Sequence, residues 1–126
     1  MAQMQEILSH NSYRDIHLQV DFERKTVTLD SVHLTLTNKE FELLALLVRH
    51  PGELICREAL LQRVWGYSNE IRTRTLDVHV RRLRLKIGAA YSWHYIETVF
   101  GMGYRFQPFR TPMAGYAELQ DLAVGA

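Results

Sequence analysis

The sequence predicts an α+β fold with an N-terminal antiparallel sheet, three helices and a C-terminal β-hairpin. Apolar and polar residues alternate between residues 13 and 36, as they do in half-buried strands. Three segments with helical spacing follow, and two β-rich segments joined by Gly101-Met102-Gly103 come last. The chain has 126 residues, of which 47% are hydrophobic and 23% charged, so it is long enough to form one globular domain without disulfide bonds.

The segment 13–36 is rich in Val, Leu and Thr and predicts three or four short antiparallel strands. The residues before it, 1–11, indicate a linker or an appended remnant, so we expect the domain to span residues 12–108. The tail, residues 109–126, is predicted either to form a short helix from Thr111-Pro112 or to be disordered.

The first helix begins with a capping box, in which Thr37 is the N-cap and Glu40 is the N3 residue. The dipeptide Pro51-Gly52 follows its end. The second helix spans about residues 57–65 and starts after Cys56, an unusual N-cap because serine or threonine would bond the first amides better. Its buried side is predicted to consist of Leu60, Leu61 and Val64.

The third helix, about residues 71–87, has two dissimilar faces. One face is an apolar stripe that suits a protein core, formed by Leu76, Val80, Leu83 and Ile87. The opposite face places Val78 and Leu85 among arginines. Residues 72–86 contain six cationic side chains and one carboxylate, Asp77, although the formal net charge of the chain is only +1. Positive charge concentrated on one element is the electrostatic signature of a nucleic-acid site.

The exposed face of this helix suits the major groove of DNA, which admits one α-helix between two rows of phosphates. The arginines fit the phosphates, and Val78 fits a thymine methyl group. Two alternatives remain open, namely a basic face that is only solvated and a surface that binds another protein. Asp77 is expected either to pair with Arg81 or Arg74 on the same helix, or to be an ordinary surface carboxylate.

The order of strands, three helices and hairpin, with a short loop at 66–70 between the second and third helices, is that of a winged helix-turn-helix. In this layout the third helix enters the major groove, and the hairpin is the wing that lies on the adjacent backbone or minor groove. Tyr104 and Arg105 on the hairpin are placed to reach phosphates. Trp65 is expected in the core, with its indole N–H directed towards a phosphate.

Three sequence blocks, VWGY (64–67), RTLDVHVRRLRLKI (74–87) and GMGYRF (101–106), closely resemble the OmpR/PhoB-type effector domain of two-component response regulators. The segment LTNKEFELLALL (36–47) is similar to that family's first helix. The resemblance covers residues 17–107 and implies sequence-specific binding of double-stranded DNA at promoter half-sites for transcription regulation. It implies either the effector half of a phosphorelay response regulator or a stand-alone regulator, with a second copy on a tandem site as a partner.

The resemblance also implies roles for individual residues. The positions of Val78 and Arg82 match positions that lie against bases in the family. Phosphate contacts are implied for Arg74, Thr75, His79, Arg81 and Arg84, and further DNA contacts for Trp65, Thr98 and Tyr104. The loop matches the segment that meets RNA polymerase in activators, and its residues are Gly66, Tyr67, Ser68, Asn69 and Glu70.

One position departs from the family pattern in the wing. Phe100 stands where many members place an arginine that enters the minor groove, and an aromatic ring supplies no guanidinium for that groove. Phe100 is therefore expected either to pack against the protein or to press on a sugar edge.

Other classes of protein are disfavoured by the motifs. The six histidines have no metal-site or catalytic spacing, and the single Cys56 excludes a disulfide framework and a cysteine-rich zinc site. No segment approaches the roughly 18 apolar residues of a membrane span, and the N-terminus has no secretory signal pattern. We expect no catalysis, cofactor, metal or membrane partner, and a cytoplasmic, nucleoid-associated location.

Overall fold

The computed structural model describes residues 7–66, 73–88, 91 and 95–109. Within them the strands are β1 (Ile7–Leu8), β2 (Ser12–Arg14), β3 (Leu18–Asp21), β4 (Thr26–Leu29), β5 (Val32–Leu34), β6 (Leu54–Cys56), β7 (Ile96–Val99) and β8 (Gly103–Phe106). The helices are α1 (Asn38–Val48), α2 (Arg57–Trp65) and α3 (Thr73–Ile87). The three helices, the N-terminal antiparallel sheet and the C-terminal hairpin confirm the predicted α+β winged-helix class. None of the described helices is long and apolar enough to cross a membrane.

The N-terminal sheet is an antiparallel meander in which the five strands follow one another in chain order. Its alternation matches the sequence pattern, because Leu18, Val20 and Val27 are buried while their neighbours along the strands are more exposed. The sheet starts earlier than the sequence indicated, since Ile7–Leu8 pairs with β2 inside the segment expected to be a linker. Both side chains of β1 are exposed, so the strand lacks the alternation of buried and exposed residues that would predict it from sequence. It is a strand only because its backbone pairs with β2.

The second sheet has the order β6-β8-β7 and contains the predicted hairpin, with Thr98 opposite Tyr104 and Val99 opposite Gly103. Strand β6 was not predicted. Its three residues are only partly buried or exposed, so they show no alternation, and only their pairing with β8 makes them a strand.

The first two helices begin as predicted. Thr37 and Glu40 form the capping box of α1, in which each residue's side chain accepts a hydrogen bond from the other's backbone N–H. Cys56 is the N-cap of α2 and its side chain makes no capping bond. The first amide of α2, that of Arg57, donates instead to the carbonyl oxygen of Met102 in the hairpin turn, at 3.1 Å.

A buried carboxylate joins the N-terminal sheet to the end of the domain. Asp15 is 2% exposed and accepts hydrogen bonds from the hydroxyls of Tyr13 and Tyr95, at 2.6 and 2.9 Å. Burial, followed by the charge of Asp15, raises the pKa of Tyr95, so this hydroxyl keeps its proton and donates. The backbone N–H of Phe109 also donates to Asp15, at 3.2 Å. The packed domain therefore continues at least one residue beyond the boundary expected at 108.

The apolar stripe of α3 lies in the core, as predicted: Leu76, Val80, Leu83 and Ile87 are each at most 3% exposed. A charged contact also fixes the helix. The ammonium group of Lys86 in α3 donates to the carboxylate of Glu40 at 2.5 Å, and Glu40 is buried. Burial raises the pKa of Glu40, but the bonds from Lys86 and from Thr37 outweigh it and hold this pKa below its ordinary value.

Replacement of Glu40 by glutamine tests this contact. Because the folded-state pKa of Glu40 is lowered, its ionised form stabilises the fold above the unfolded-state pKa, and this contribution is lost as the pH falls through the folded-state value. We expect E40Q to lower the free energy of unfolding by about 2 kcal/mol at neutral pH. The difference in the free energy of unfolding between E40Q and the wild-type chain should decrease as the pH is lowered from about 6 to about 3, as measured by urea unfolding.

Glu42→Gln is the matched control, because Glu42 lies on the same helix at a more exposed site, 3.7 Å from Lys39. It should cost less than about 0.5 kcal/mol. A deficit of E40Q that is the same at both pH values would contradict this account of the Glu40–Lys86 contact.

Candidate nucleic-acid interface

The side of α3 that faces away from the core forms a basic face, defined here as Arg74, Val78, Arg81, Arg82 and Leu85. Helical spacing of about 100° per residue places these five side chains together, opposite the buried stripe. Val78 is 36% exposed and Leu85 is 71% exposed. Within the part of the chain that the structure describes, none of the three arginines forms an ion pair. The basic face therefore offers cations and apolar groups to a partner.

Asp77 lies on the flank of α3 that faces the hairpin and the start of α2. Its carboxylate accepts hydrogen bonds from the guanidinium of Arg57 at 2.6 Å and from the hydroxyl of Tyr104 at 2.7 Å. The expectation that Asp77 pairs with Arg81 or Arg74 is therefore wrong. The physical reason is tertiary: α2 and the hairpin bring two donors to this flank, which an intrahelical pairing rule does not include.

The contacts among Asp77, Arg57 and Tyr104 shift the pKa values of all three side chains. Partial burial raises the pKa of Asp77, but the hydrogen bonds from Arg57 and Tyr104 outweigh this and lower it overall. Burial, followed by the bond to Asp77, raises the pKa of Tyr104. The hydrogen bond to Asp77 raises the pKa of Arg57. Asp77 is therefore a charged acceptor that joins α2, α3 and the hairpin.

Arg84 holds the hairpin on the same flank of α3. Its guanidinium donates to the carbonyl oxygen of Ile96 at 2.5 Å and to the hydroxyl of Thr98 at 2.8 Å. It also lies 5.7 Å from the ring centre of Tyr104, which is 5% exposed. Burial lowers the pKa of Arg84. The structure thus brings three residues with implied DNA contacts together at the junction between α3 and the hairpin.

The opposite flank of α3 carries Thr75 and His79, and Trp65 at the end of α2 packs against it. The Nδ1 atom of His79 lies 2.8 Å from the carbonyl oxygen of Thr75. Because a carbonyl oxygen only accepts, Nδ1 carries the hydrogen, and Nε2 is the ring nitrogen not used in this bond. The ring of His79 also meets the ring of Trp65 edge to face, with 4.8 Å between centres. These contacts orient His79 beside the basic face.

The remaining predicted residues are placed differently. Arg105 pairs across the hairpin with Glu97, at 2.8 Å between Nε and Oε1, and this bond raises the pKa of Arg105. Gly66 ends α2 with a φ of 82°, a conformation that favours glycine. The other predicted loop residues, 67–70, lie outside the described residues. Sequence reasoning missed Arg57, because nothing in the sequence pairs it with Asp77, twenty positions away.

Comparison with known proteins gives consistent results. The family model described as "Transcriptional regulatory protein, C terminal" matches residues 31–106. The chain is 42% identical over 93 residues to the transcriptional regulatory protein SrrA of Staphylococcus aureus, a match that covers 72% of this chain and 39% of SrrA. The chain therefore spans about two fifths of the length of that relative.

Solved structures similar to this chain include several DNA-binding domains. The RstA DNA-binding domain of Klebsiella pneumoniae, determined in complex with the RstA box, has a TM-score of 0.69 and 30% identity. That match covers 79% of this chain and 100% of the RstA domain. The DNA-binding domain of CpxR from E. coli has a TM-score of 0.67 and 31% identity, over 76% of this chain and 95% of the CpxR domain.

Tyr104→Phe tests the bond between the hairpin and α3. Because the hydroxyl of Tyr104 helps to lower the pKa of Asp77, its removal should raise that pKa towards its ordinary value. The variant should also lower the free energy of unfolding by about 1 kcal/mol. Both effects are measurable, the first by carboxyl-carbon NMR titration. Tyr91→Phe, which removes a hydroxyl bound to Asp30, should leave Asp77 unchanged, and an unchanged Asp77 in the Tyr104 variant would refute the assignment.

Proposed function

Because the chain belongs to the family of transcriptional regulatory protein C-terminal domains, the OmpR/PhoB-type effector domains, we propose that it binds specific sequences in double-stranded DNA to regulate transcription. The relatives support the same function. SrrA is a transcriptional regulatory protein, and the RstA domain was solved on its DNA box. This family is a class of regulators rather than of enzymes.

The basic face of α3 is the observation that carries the proposal. Three arginines without an ion pair in the described residues stand beside Val78 and Leu85, while the opposite side of the helix is buried in the core. A phosphate backbone compensates the arginine charges, and the base edges between the phosphates accept apolar side chains. Contact with DNA therefore gives both kinds of side chain on this face a partner.

We divide the residues of the site as the family resemblance implies. Val78 and Arg82 are proposed to meet base edges. Phosphate contacts are proposed for Arg74, Thr75, His79 and Arg81, which lie at the centre and flanks of the same surface. Arg84, Thr98 and Tyr104 are bonded within the protein, which supports a role in positioning the hairpin beside their proposed DNA contacts. Trp65 and Arg105 complete the proposed set of DNA-contacting residues.

Further partners follow from the same family membership. The chain is proposed to be the effector part of a phosphorelay response regulator, since it spans 39% of the length of SrrA, with a stand-alone regulator as the alternative. The loop that begins at Gly66 is proposed to contact RNA polymerase, and a second copy of the chain is proposed to bind a tandem half-site. The proposed location is the cytoplasm, in association with the nucleoid.

Selection of bound duplexes from a random DNA library, followed by sequencing, tests the proposed function. Enrichment of a short motif is expected, and a repeat of that motif about 10 base pairs away would reveal the tandem arrangement. Affinity should also fall with salt at a log–log slope of about −0.9 per phosphate contact. A chain that enriches no motif and binds DNA without salt dependence would favour the alternative, a surface that binds protein.

The division between base and phosphate contacts makes a separate prediction. Arg82→Ala should lose about 1–3 kcal/mol of discrimination between the selected duplex and a scrambled one. Arg74→Ala should weaken binding to both duplexes alike and make the salt slope shallower by about one contact. Fluorescence anisotropy titrations at several salt concentrations measure both effects.

Arg24→Ala is the matched control, because Arg24 is an exposed arginine in the turn between β3 and β4, outside the proposed site. It should leave nearly unchanged both the discrimination between the selected and scrambled duplexes and the salt dependence of the affinity. If the Arg82 and Arg74 variants behaved identically, the division of α3 into base and phosphate contacts would be incorrect.

A further inference from the structure

A groove outside the proposed DNA site combines an apolar lining with exposed cations. It encloses about 260 Å³ between the turn that follows β3, helix α1 and the last turn of α2. Four of its lining side chains are buried, namely those of Phe22, Phe41, Ala45 and Val64. We call these residues, together with the three cations named next, the basic groove. An apolar lining with a few charged groups suits an amphipathic occupant.

Three exposed cations line the same groove, those of Lys25, Arg49 and Arg63. Within the residues that the structure describes, none of the three forms an ion pair. The guanidinium of Arg49 lies 4.2 Å from the ring centre of Phe22, which is uncharged. Glu42 also lines the groove, but its carboxylate accepts a hydrogen bond from Asn38 and lies 3.7 Å from the ammonium of Lys39. The charge of the groove therefore favours an occupant with carboxylates.

Segment 111–126, which lies outside the described residues, has the matching chemistry. It contains two carboxylates, Glu118 and Asp121, and no lysine or arginine. At helical spacing Tyr116, Leu119 and Leu122 share one side, and the two carboxylates lie next to them. Because so short a helix is marginal by itself in water, it needs a surface on which to bury its apolar side.

The groove lies within reach of this segment. The ring of Phe109 meets the ring of His17 edge to face, with 4.6 Å between centres, and the N–H of Phe109 donates to Asp15. His17 directly precedes β3 and Phe22 directly follows it, so the strand sets their separation at about 17 Å. An extended chain from Phe109 to Tyr116 covers up to about 23 Å. Residues from Tyr116 onward can therefore reach the basic groove.

We propose that residues 116–123 dock in the basic groove as an amphipathic helix. Tyr116 and Leu119 cover the apolar lining, and Glu118 and Asp121 face the cations. Docking does not depend on the proposed function, because the groove is lined by α1, α2 and the turn after β3 rather than by α3. It compensates cations that lie outside α3, and so directs a polyanion to the basic face of α3 instead of to the groove.

Amide hydrogen exchange of residues 116–123 in the 126-residue chain tests the docking. We expect these amides to exchange at least roughly tenfold more slowly than in a coil, because a docked helix protects its backbone. The double variant Arg49→Glu with Arg63→Glu should return them to the coil rate, since it reverses two of the three cations. Leu119→Ser should do the same by removing an apolar anchor without changing any residue of the groove.

Arg14→Glu is the matched control, because Arg14 is an exposed arginine on β2 that does not line the groove. It should leave the exchange of residues 116–123 unchanged. Addition of Glu118→Arg and Asp121→Arg to the Arg49 and Arg63 double variant should restore the protection, because the charges on both sides are then reversed.

Three results would overturn the docking. They are coil-like exchange of residues 116–123 in the wild-type chain, protection that survives in the Arg49 and Arg63 double variant, and protection that falls on dilution, which would assign the groove to a second copy. If the coil-like exchange were accompanied by a loss of DNA affinity in the double variant but not in R14E, the groove would instead be a nucleic-acid contact. The proposed function is tested separately, by the selection of duplexes.

Discussion

The hydrogen bonds that Asp77 accepts from Arg57 and Tyr104 fix the geometry on which the rest of the site depends. They join α2, α3 and the hairpin through one charged acceptor, so the helix and the wing cannot move independently without breaking a charge-assisted bond. Arg84 adds a second joint farther along the same flank of α3 through Thr98. Because both joints lie on the flank, the outward face of α3 remains exposed.

The fold divides the cationic side chains of the site into two groups by their surroundings. Arg57, Arg84 and Arg105 are partly buried and bonded to protein oxygens, because a guanidinium removed from water must be compensated within the protein. Arg74 and Arg81 are exposed, and water compensates their charges. Within α3 the protein-bonded Arg84 therefore lies close in sequence to the exposed Arg81 and Arg82.

Much of the architecture could be predicted from local patterns. The capping box at Thr37, the apolar stripe of α3 and the glycine-supported hairpin turn are each encoded within a few adjacent residues. Strands β1 and β6 could not be predicted, because neither has an alternating pattern and each exists only through pairing with a distant segment. The partner of Asp77 was missed for the same reason. The spacing along the helix predicted Arg81 or Arg74 as the partner of Asp77, whereas in the folded chain its partners are Arg57 and Tyr104.

The sequence by itself determined which residues face the core and which surface of α3 faces outward, since helical periodicity depends only on the order of side chains along the chain. The motif blocks also determined the family, and with it the proposed class of ligand. Only the tertiary structure decided which cations are engaged within the protein and which side chains join the hairpin to α3. Those features depend on contacts between residues distant in sequence, whose geometry is created when the elements pack together.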